Sequence, residues 1–247
     1  MPPTVILIRH AQALHNIADK FLIIPKLYIR LSELGFEQCK ELREKLRTTL
    51  PGRLDAELVL VSPMTRTLQT AMASLDWLIA TGVPIQAHAG WQETTDNPCD
   101  TGVPIAEVSP KFPGVDFSLV DPVWPEKKTP EAQLYAFTRR DLVTRAQKVL
   151  AELYARPESV VAVVSHSAFL SKAVSGSMYA NADFRIFDFE EPVEVSSTAA
   201  SEAAALSKDE LPPLVYRLRE WDETRQSHGG MGWSLDSVRN IGDELGI

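Results

Sequence analysis

Apolar runs and helical stripes alternate along this chain. Val5 to Ile8 are four apolar residues in a row, a pattern that suits a strand buried on both faces, and the run ends abruptly in Arg9 and His10. Ser32 is placed to cap a helix running to about Leu50, with Leu42, Leu46 and Leu50 recurring on one face. Pro51 and Gly52 make a turn, and Leu58 to Val61 give a second strand. Ser62 followed by Pro63 predicts a helix start, because serine accepts orphan N–H bonds and proline fits the first turn. That helix carries Met64, Leu68, Leu75 and Leu78 and ends near Gly82, and "PIQAH" at 84–88 is a short third strand.

From Glu93 to Pro130 the pattern is lost in a stretch rich in proline, aspartate and glycine, and a structureless insert of that length predicts a lid or binding loop. Periodicity resumes in a long helix from Pro130 to about Arg156, with Leu134, Phe137, Ala146, Leu150 and Leu153 on one face. "SVVAVVSHSAFL" then repeats the opening: a strand, Val160 to Val164, ends in Ser165 and His166 before a helix. "DFRIFDF" and "LVYRLREW" read as strands joined by a mobile connection at 190–213, and the last residues hold a glycine hinge and a short helical end. Strands alternating with helices predict an α/β fold, a three-layer α/β/α sandwich with a mostly parallel central sheet. A chain of 247 residues with 45% hydrophobic positions is expected to form one domain over 1–247, with the lid insert at about 94–130 and a second insertion at about 190–213. Two parallel strands of this kind bring both histidines to one sheet edge, where α/β folds bind ligands.

Composition narrows the partners. The formal charge of -8 and the lack of a basic cluster argue against a nucleic-acid or anionic-membrane surface, so an anionic ligand must be held by a few local cations. The start, MPPTVILIRH, has no basic leader and an apolar run too short for a signal peptide or membrane span, which predicts a cytoplasmic setting. Cys39 and Cys99 are isolated and indicate neither a disulfide framework nor a zinc site. Oligomeric state is not legible.

Arg9 and His10, Arg66 after the Ser62–Pro63 start, Glu93 after the third strand, and His166 together supply cations, two imidazoles and a carboxylate. A phosphoryl group needs such a set. Its oxygens are matched by planar arginine donors, and its transfer needs a nucleophile and a proton donor for the leaving oxygen. Helix N-termini near residues 11, 63 and 167 would add positive dipole ends.

The motifs "LIRHAQALHN", "SPMTRTLQTA", "WQE" and "VVSHSAF" resemble, in order and spacing, those of the histidine phosphatase superfamily, in the branch of phosphoglycerate mutases and small phosphatases. The likeness covers about 4–180, and "PCDTG" with "DFRIFDF" resembles the fungal phosphoglycerate-mutase-like group. It implies a phosphoglycerate-mutase-like fold, His10 as the nucleophile that becomes phosphohistidine, and Arg9, Arg66 and His166 as holders of the phosphoryl oxygens. It implies Glu93 as the general acid and later the base for water, Asn16 as a phosphate-binding residue, a small phosphorylated substrate, and no metal or organic cofactor. This chain departs from the family pattern at Ala11, where glycine is usual, and at Ser167 and Ala168, where a glycine pair is common; the Ser167 hydroxyl adds a possible ligand contact. The segment "KLYIRLSELG" replaces an acidic residue and proline, so Tyr28 and Arg30 change what reaches the pocket.

The expectation is therefore a metal-independent phosphatase of a small phosphomonoester. A phosphomutase, a phospho-ligand-binding protein that has lost turnover, and a non-phosphoryl acid/base enzyme on the same pocket stay open as alternatives. Elsewhere the plainer readings hold. His15 is a surface or pocket-wall residue, and His88, Asp96, Cys99 and Asp100 match no familiar metal spacing. Ser165 and Ser167 lack the glycines of a nucleophile elbow. Lys127 and Lys128 read as a solvated pair, and Trp91, Trp124, Trp221 and Trp233 as core or lid anchors.

Overall fold

A computed structural model describes residues 1–17, 29–49, 54–194, 211–235 and 237–242. In it the apolar runs form a six-stranded sheet. The strands are β1 (Thr4–Arg9), β2 (Leu58–Val61), β3 (Ile85–Ala87), β4 (Val160–Ser165), β5 (Phe184–Phe189) and β6 (Leu218–Glu220), in the order β3-β2-β4-β1-β5-β6. β1 to β4 pair in parallel, whereas β5 runs antiparallel to both β1 and β6, giving a mixed and mostly parallel sheet. The register aligns Ile8 with Val164 and Arg9 with Ser165, so His10 and His166 leave neighbouring strand ends side by side.

Both sheet faces are covered because Val5–Ile8 of β1, Leu58–Val61 of β2 and Val160–Val164 of β4 are apolar on both sides. Ile6, Ile8, Val59, Val61, Ala162 and Val164 pack one way, against α2 (Glu33–Thr49) and α3 (Thr65–Ser74). Val5, Leu7, Leu58, Leu60, Val161 and Val163 pack the other way, against α6 (Arg139–Tyr154) and the α7 segment (Ser167–Phe169, continuing as a π-type turn to Val174). Each fully buried aliphatic side chain contributes roughly 1.5–3 kcal/mol, which is why the sheet, rather than helix propensity, fixes the frame. Among the described residues no helix is long and apolar enough to cross a membrane.

The remaining α-helices among the described residues are short: α1 (Leu14–Ile17), α4 (Asp76–Ala80), α5 (Ile105–Val108) and α8 (Asp222–Gln226). Ser32 caps α2 as expected, its Oγ accepting from the Gly35 amide at 3.0 Å. Gly35 is required there, since a Cβ would lie 2.0 Å from the Gln12 carbonyl oxygen of the loop after β1.

Three local expectations are corrected. Ser62 and Pro63 do not open α3, which starts at Thr65 with no side-chain cap, because the Ser62 hydroxyl is committed to His166. The helix expected from there to Gly82 is broken at Leu75 into α3 and α4. The long helix predicted from Pro130 is a 3-10 stretch, Pro130–Tyr135, followed by α6, because Thr138 accepts from the Asp141 amide and takes the cap; this leaves Phe137 exposed rather than on the buried stripe.

The 94–130 segment is not structureless. It holds α5 and short 3-10 turns, buries Val108, Phe112 and Trp124, and bridges Asp116 onto the β3 edge through Ala87 and Ile85. That contact pairs an edge strand that would otherwise present free N–H and C=O groups. Of the 190–213 insertion, residues 195–210 lie outside the described residues, as do Tyr28 and, of the tail in which a short helical end is expected, residues 236 and 243–247.

The described part of the C-terminal tail folds back on the sheet. Buried Asp183 accepts from the amides of Phe184 and Met231, both at 2.8 Å, and from the Ser234 hydroxyl at 2.5 Å. Gly229, at φ +90°, passes so close that a Cβ would sit 2.1 Å from the Asp183 carboxylate. Asp183→Ala strands these buried donors, and a loss of about 3 kcal/mol is expected from urea unfolding, together with faster tryptic cleavage at Arg225 and Arg239. An unchanged unfolding midpoint would remove Asp183 as the anchor of the tail.

Candidate functional site

The ends of β1 and β4 converge on a pocket floored by imidazoles. The His10 and His166 rings lie 5.2 Å apart, centroid to centroid, in an edge-on arrangement, and the His15 ring lies 5.7 Å from His10. His10 is 2% exposed. Its Nδ1 is 2.7 Å from the Ala11 carbonyl oxygen, an acceptor only, so Nδ1 carries the hydrogen and Nε2 keeps a lone pair. Arg66 Nε donates to that Nε2 at 3.2 Å. Burial and the neighbouring Arg66 and Arg9 hold the His10 pKa well below its ordinary 6.5, so the ring is a neutral base with its lone pair directed at a guanidinium.

Arg66 is itself pinned. It is buried, with Nη1 donating to the Cys99 carbonyl at 2.7 Å and Nη2 paired with Asp100 at 3.3 Å. Asp100 also accepts from Thr95 Oγ1 at 2.6 Å, so the "PCD" turn sets the direction of the arginine. Arg9 is held from the other side by the Tyr179 carbonyl at 2.8 Å, while its Nε has no partner; burial brings its pKa down to about 10, still protonated at neutral pH.

Buried His166 has Nε2 2.9 Å from Ser62 Oγ and an unpartnered Nδ1. Glu93 sits beside it. One carboxylate oxygen accepts from the amides of Thr94 (2.9 Å) and Phe169 (3.0 Å), and the other from the Ala168 amide at 3.3 Å. These bonds favour the charged form, but burial and nearby Asp100 outweigh them and raise the Glu93 pKa. The result is a carboxyl group biased towards holding a proton beside two proton-poor imidazoles.

Arg9, His10, Arg66, Glu93 and His166 are thus gathered in one place, and Ser167 opens the helix next to His166. Asn16 is largely exposed at the rim; its Oδ1 accepts from the Ala13 amide at 2.9 Å and its Nδ2 lies 3.1 Å from His15 Nε2. His15 belongs to the pocket wall, and burial lowers its pKa to about 4. His88 pairs with Glu152 at 3.0 Å and Asp96 with Lys128 at 2.9 Å. Among the described residues no group of three or more His, Cys, Asp or Glu side chains is arranged to hold a metal.

Lys127 corrects the reading of a solvated pair. It is 5% exposed, and its Nζ donates to the carbonyls of Glu93 and Thr95, both at 2.7 Å, so burial pushes its pKa down to about 7. Only Lys128 is at the surface. Sequence reasoning also missed Asp100 as the anchor of Arg66, and Asn181, whose amide donates to the His10 carbonyl at 3.1 Å. Another omission is Arg145 of α6, which is 1% exposed. Only Arg145 carried a signal, since it lies between Leu142 and Val149 on the buried stripe of its helix, where a charge is out of place.

The electrostatics dictate an acid sensitivity. His10, His15 and His166 all have pKa values lowered by burial, so below pH 6.5 unfolding takes up protons and stability falls as pH falls. Each histidine costs up to about 1.4 kcal/mol per pH unit. Glu93, whose pKa is raised, works in the opposite direction, while Lys127, lowered to about 7, adds to the histidines, and a net loss of a few kcal/mol is expected between pH 7.5 and 5.5. Urea titrations at the two pH values measure it; equal stabilities would mean that the histidines titrate normally.

The histidine phosphatase superfamily (branch 1) matches residues 5–200. A phosphoglycerate mutase-like protein of Arabidopsis thaliana is 31% identical over 208 residues, covering 70% of this chain and 73% of that relative. A probable phosphatase of Schizosaccharomyces pombe is 30% identical over 167 residues, 66% of this chain and 73% of the relative. Among solved structures, a mycobacterial hydrolase has a TM-score of 0.49 and 19% identity, covering 89% of this chain and 97% of the other.

Proposed function

Because the chain belongs to the histidine phosphatase superfamily, branch 1, we propose that it hydrolyses a small phosphomonoester through a phosphohistidine on His10. The observation that carries the reading is the state of His10: a neutral ring with Nδ1 tied to the Ala11 carbonyl and its Nε2 lone pair held beside Arg66. In the first half-reaction His10 Nε2 attacks phosphorus, the bond from phosphorus to the ester oxygen breaks, and that oxygen takes the Glu93 proton as the alcohol leaves. In the second, the Glu93 carboxylate removes a proton from water, the water oxygen attacks phosphorus, and the N–P bond breaks to restore His10 and release phosphate.

The developing charge on the phosphoryl oxygens is met by Arg9, Arg66 and His166. If Ser62 donates its hydroxyl hydrogen to His166 Nε2, the unpartnered His166 Nδ1 is the N–H that faces an anion, and Arg9 Nε is a second donor of the same kind. Arginines supply the positive charge, so the mechanism requires no metal. Asn16 lies at the rim, where it orients a bound ester with His15.

Hydrolysis is preferred to mutase action because a mutase must shield its phosphoenzyme from water and rebind an intermediate; the 30% identical fission-yeast relative, described as a probable phosphatase, supports the same choice. The 94–130 segment supplies the wall nearest Glu93 through Lys127, and is the place where substrate choice is made. The test is phosphate release by purified protein from a panel of phosphomonoesters in EDTA between pH 5 and 8. Turnover on at least one ester is expected; a folded protein inert on all of them would return the weight to a binding protein.

A further inference from the structure

Lys127 reaches the site from the 94–130 segment, yet neither half-reaction gives it a task. Its side chain is buried, and its Nζ donates to the carbonyls of Glu93 and Thr95, both at 2.7 Å. Among the described residues no carboxylate stands within ion-pair distance of it; the nearby Asp96 is taken by Lys128. Burying an ammonium without a carboxylate is costly, which is why its pKa falls to about 7. The group is held by two carbonyl oxygens, both on the turn that carries Glu93.

The Glu93 carbonyl and the Thr94 amide belong to one planar trans peptide, so its C=O and N–H point in opposite directions and can only turn together. Lys127 grips the oxygen end at 2.7 Å, and the other end donates its hydrogen to a Glu93 carboxylate oxygen at 2.9 Å. A cation on the carbonyl also polarises the peptide and strengthens its N–H as a donor. In front, the start of the α7 segment completes the hold: Phe169 donates to the same carboxylate oxygen at 3.0 Å and Ala168 to the second at 3.3 Å. The only other side chain on the Glu93 carbonyl, among the described residues, is Arg145 at a longer 3.5 Å.

We propose that Lys127 is the positioning residue of the acid: it fixes the 93–94 peptide and, through the Thr94 N–H, sets the Glu93 carboxyl where the leaving oxygen needs its proton. The 94–130 segment then governs proton delivery as well as forming the wall beside Glu93. This assignment rests on the reading of Glu93 as the general acid, and it gives Lys127 no contact with substrate. Its effect is large in principle, because a misplacement of about 1 Å at a reacting group costs on the order of 100-fold in rate.

The test is kcat/KM for an alkyl phosphate and for p-nitrophenyl phosphate, measured on Lys127→Met. A misplaced acid is expected to cost the alkyl ester about 10- to 100-fold and the nitrophenyl ester less than about threefold. Added to Glu93→Gln, the same change is expected to cost the alkyl ester less than about threefold more, because residues that act as a unit do not add. Equal losses on both esters, no loss on either, or the full loss repeated on top of Glu93→Gln would each overturn the proposal; a substrate contact or a loosened fold would give the first or the last. Should Lys127→Met fail to fold, Lys127→Gln, which keeps an NH2 donor, is read by the same criteria with smaller losses. A parent protein inert on both esters would strike the general-acid reading instead, and carbon-13 titration of the Glu93 carboxyl then decides whether Lys127 holds it. The midpoint is expected to rise in the variant, since the ammonium and the Thr94 N–H both favour the charged form, and an unchanged midpoint would overturn the assignment.

Discussion

His10→Ala is expected to lower phosphate release by about 10,000-fold or more, the scale on which removal of a nucleophile from a cooperating set is felt. The ring is the one base in the pocket that combines a fixed tautomer with a guanidinium at its lone pair, and no other described side chain repeats that pair of contacts. Folding should survive. The loss is one hydrogen bond to Ala11 and the orphaning of Arg66 Nε, about 1–3 kcal/mol, while Arg66 keeps Cys99 and Asp100. Rapid quench with phosphorus-labelled ester gives a second readout: an acid-labile, base-stable label on the parent protein and none on the variant. Turnover in the variant equal to that of the parent would remove His10 from the mechanism and leave the acid/base alternative.

Glu93→Gln should separate substrates by leaving group. For alkyl phosphates the departing alkoxide needs a proton in the transition state, and a loss of about 100- to 10,000-fold is expected; for p-nitrophenyl phosphate the phenolate leaves unaided, and the loss should be about tenfold. The amide keeps an oxygen to accept from Thr94 and Phe169, and only the longer bond from the Ala168 amide is lost, because the new NH2 cannot accept it. Since burial raises the Glu93 pKa, the acid form persists above the usual carboxylate range, and the alkyl phosphate rate should decline as pH climbs through that raised value. The glutamine variant should lack this decline. Equal losses on both substrates would reassign Glu93 to water activation or to positioning the α7 segment.

Both predictions start from residues that the sequence had already singled out. The strand ends after Ile8 and Val164 were legible because a short run apolar at every position suits a strand covered on both faces, and a polar residue at its end marks where the chain leaves the buried sheet. The order of strand and helix patterns likewise led to the sandwich, and the four motifs to the family that the comparisons show. Ser62 illustrates the limit: a serine before a proline reads as a helix cap, yet here its hydroxyl serves His166, 104 residues later in the chain. Local spacing carries no information on that competition.

Lys127, Asp100 and Arg145 show the same limit from the side of charge. Two adjacent lysines in an irregular stretch look solvated, and only the folding of 94–130 against the site buries one of them on the Glu93 carbonyl. The sequence by itself determined which strands are central, which side chains leave their ends, and the kind of ligand such a set can hold, because periodicity and motif spacing are local properties of the chain. The tertiary structure alone decided the tautomer of His10, the raised pKa of Glu93, the anchor of Arg66 and the grip of Lys127 on the Glu93 peptide. Each depends on burial and on partners brought in from distant segments, and desolvation exists only once the segments have packed.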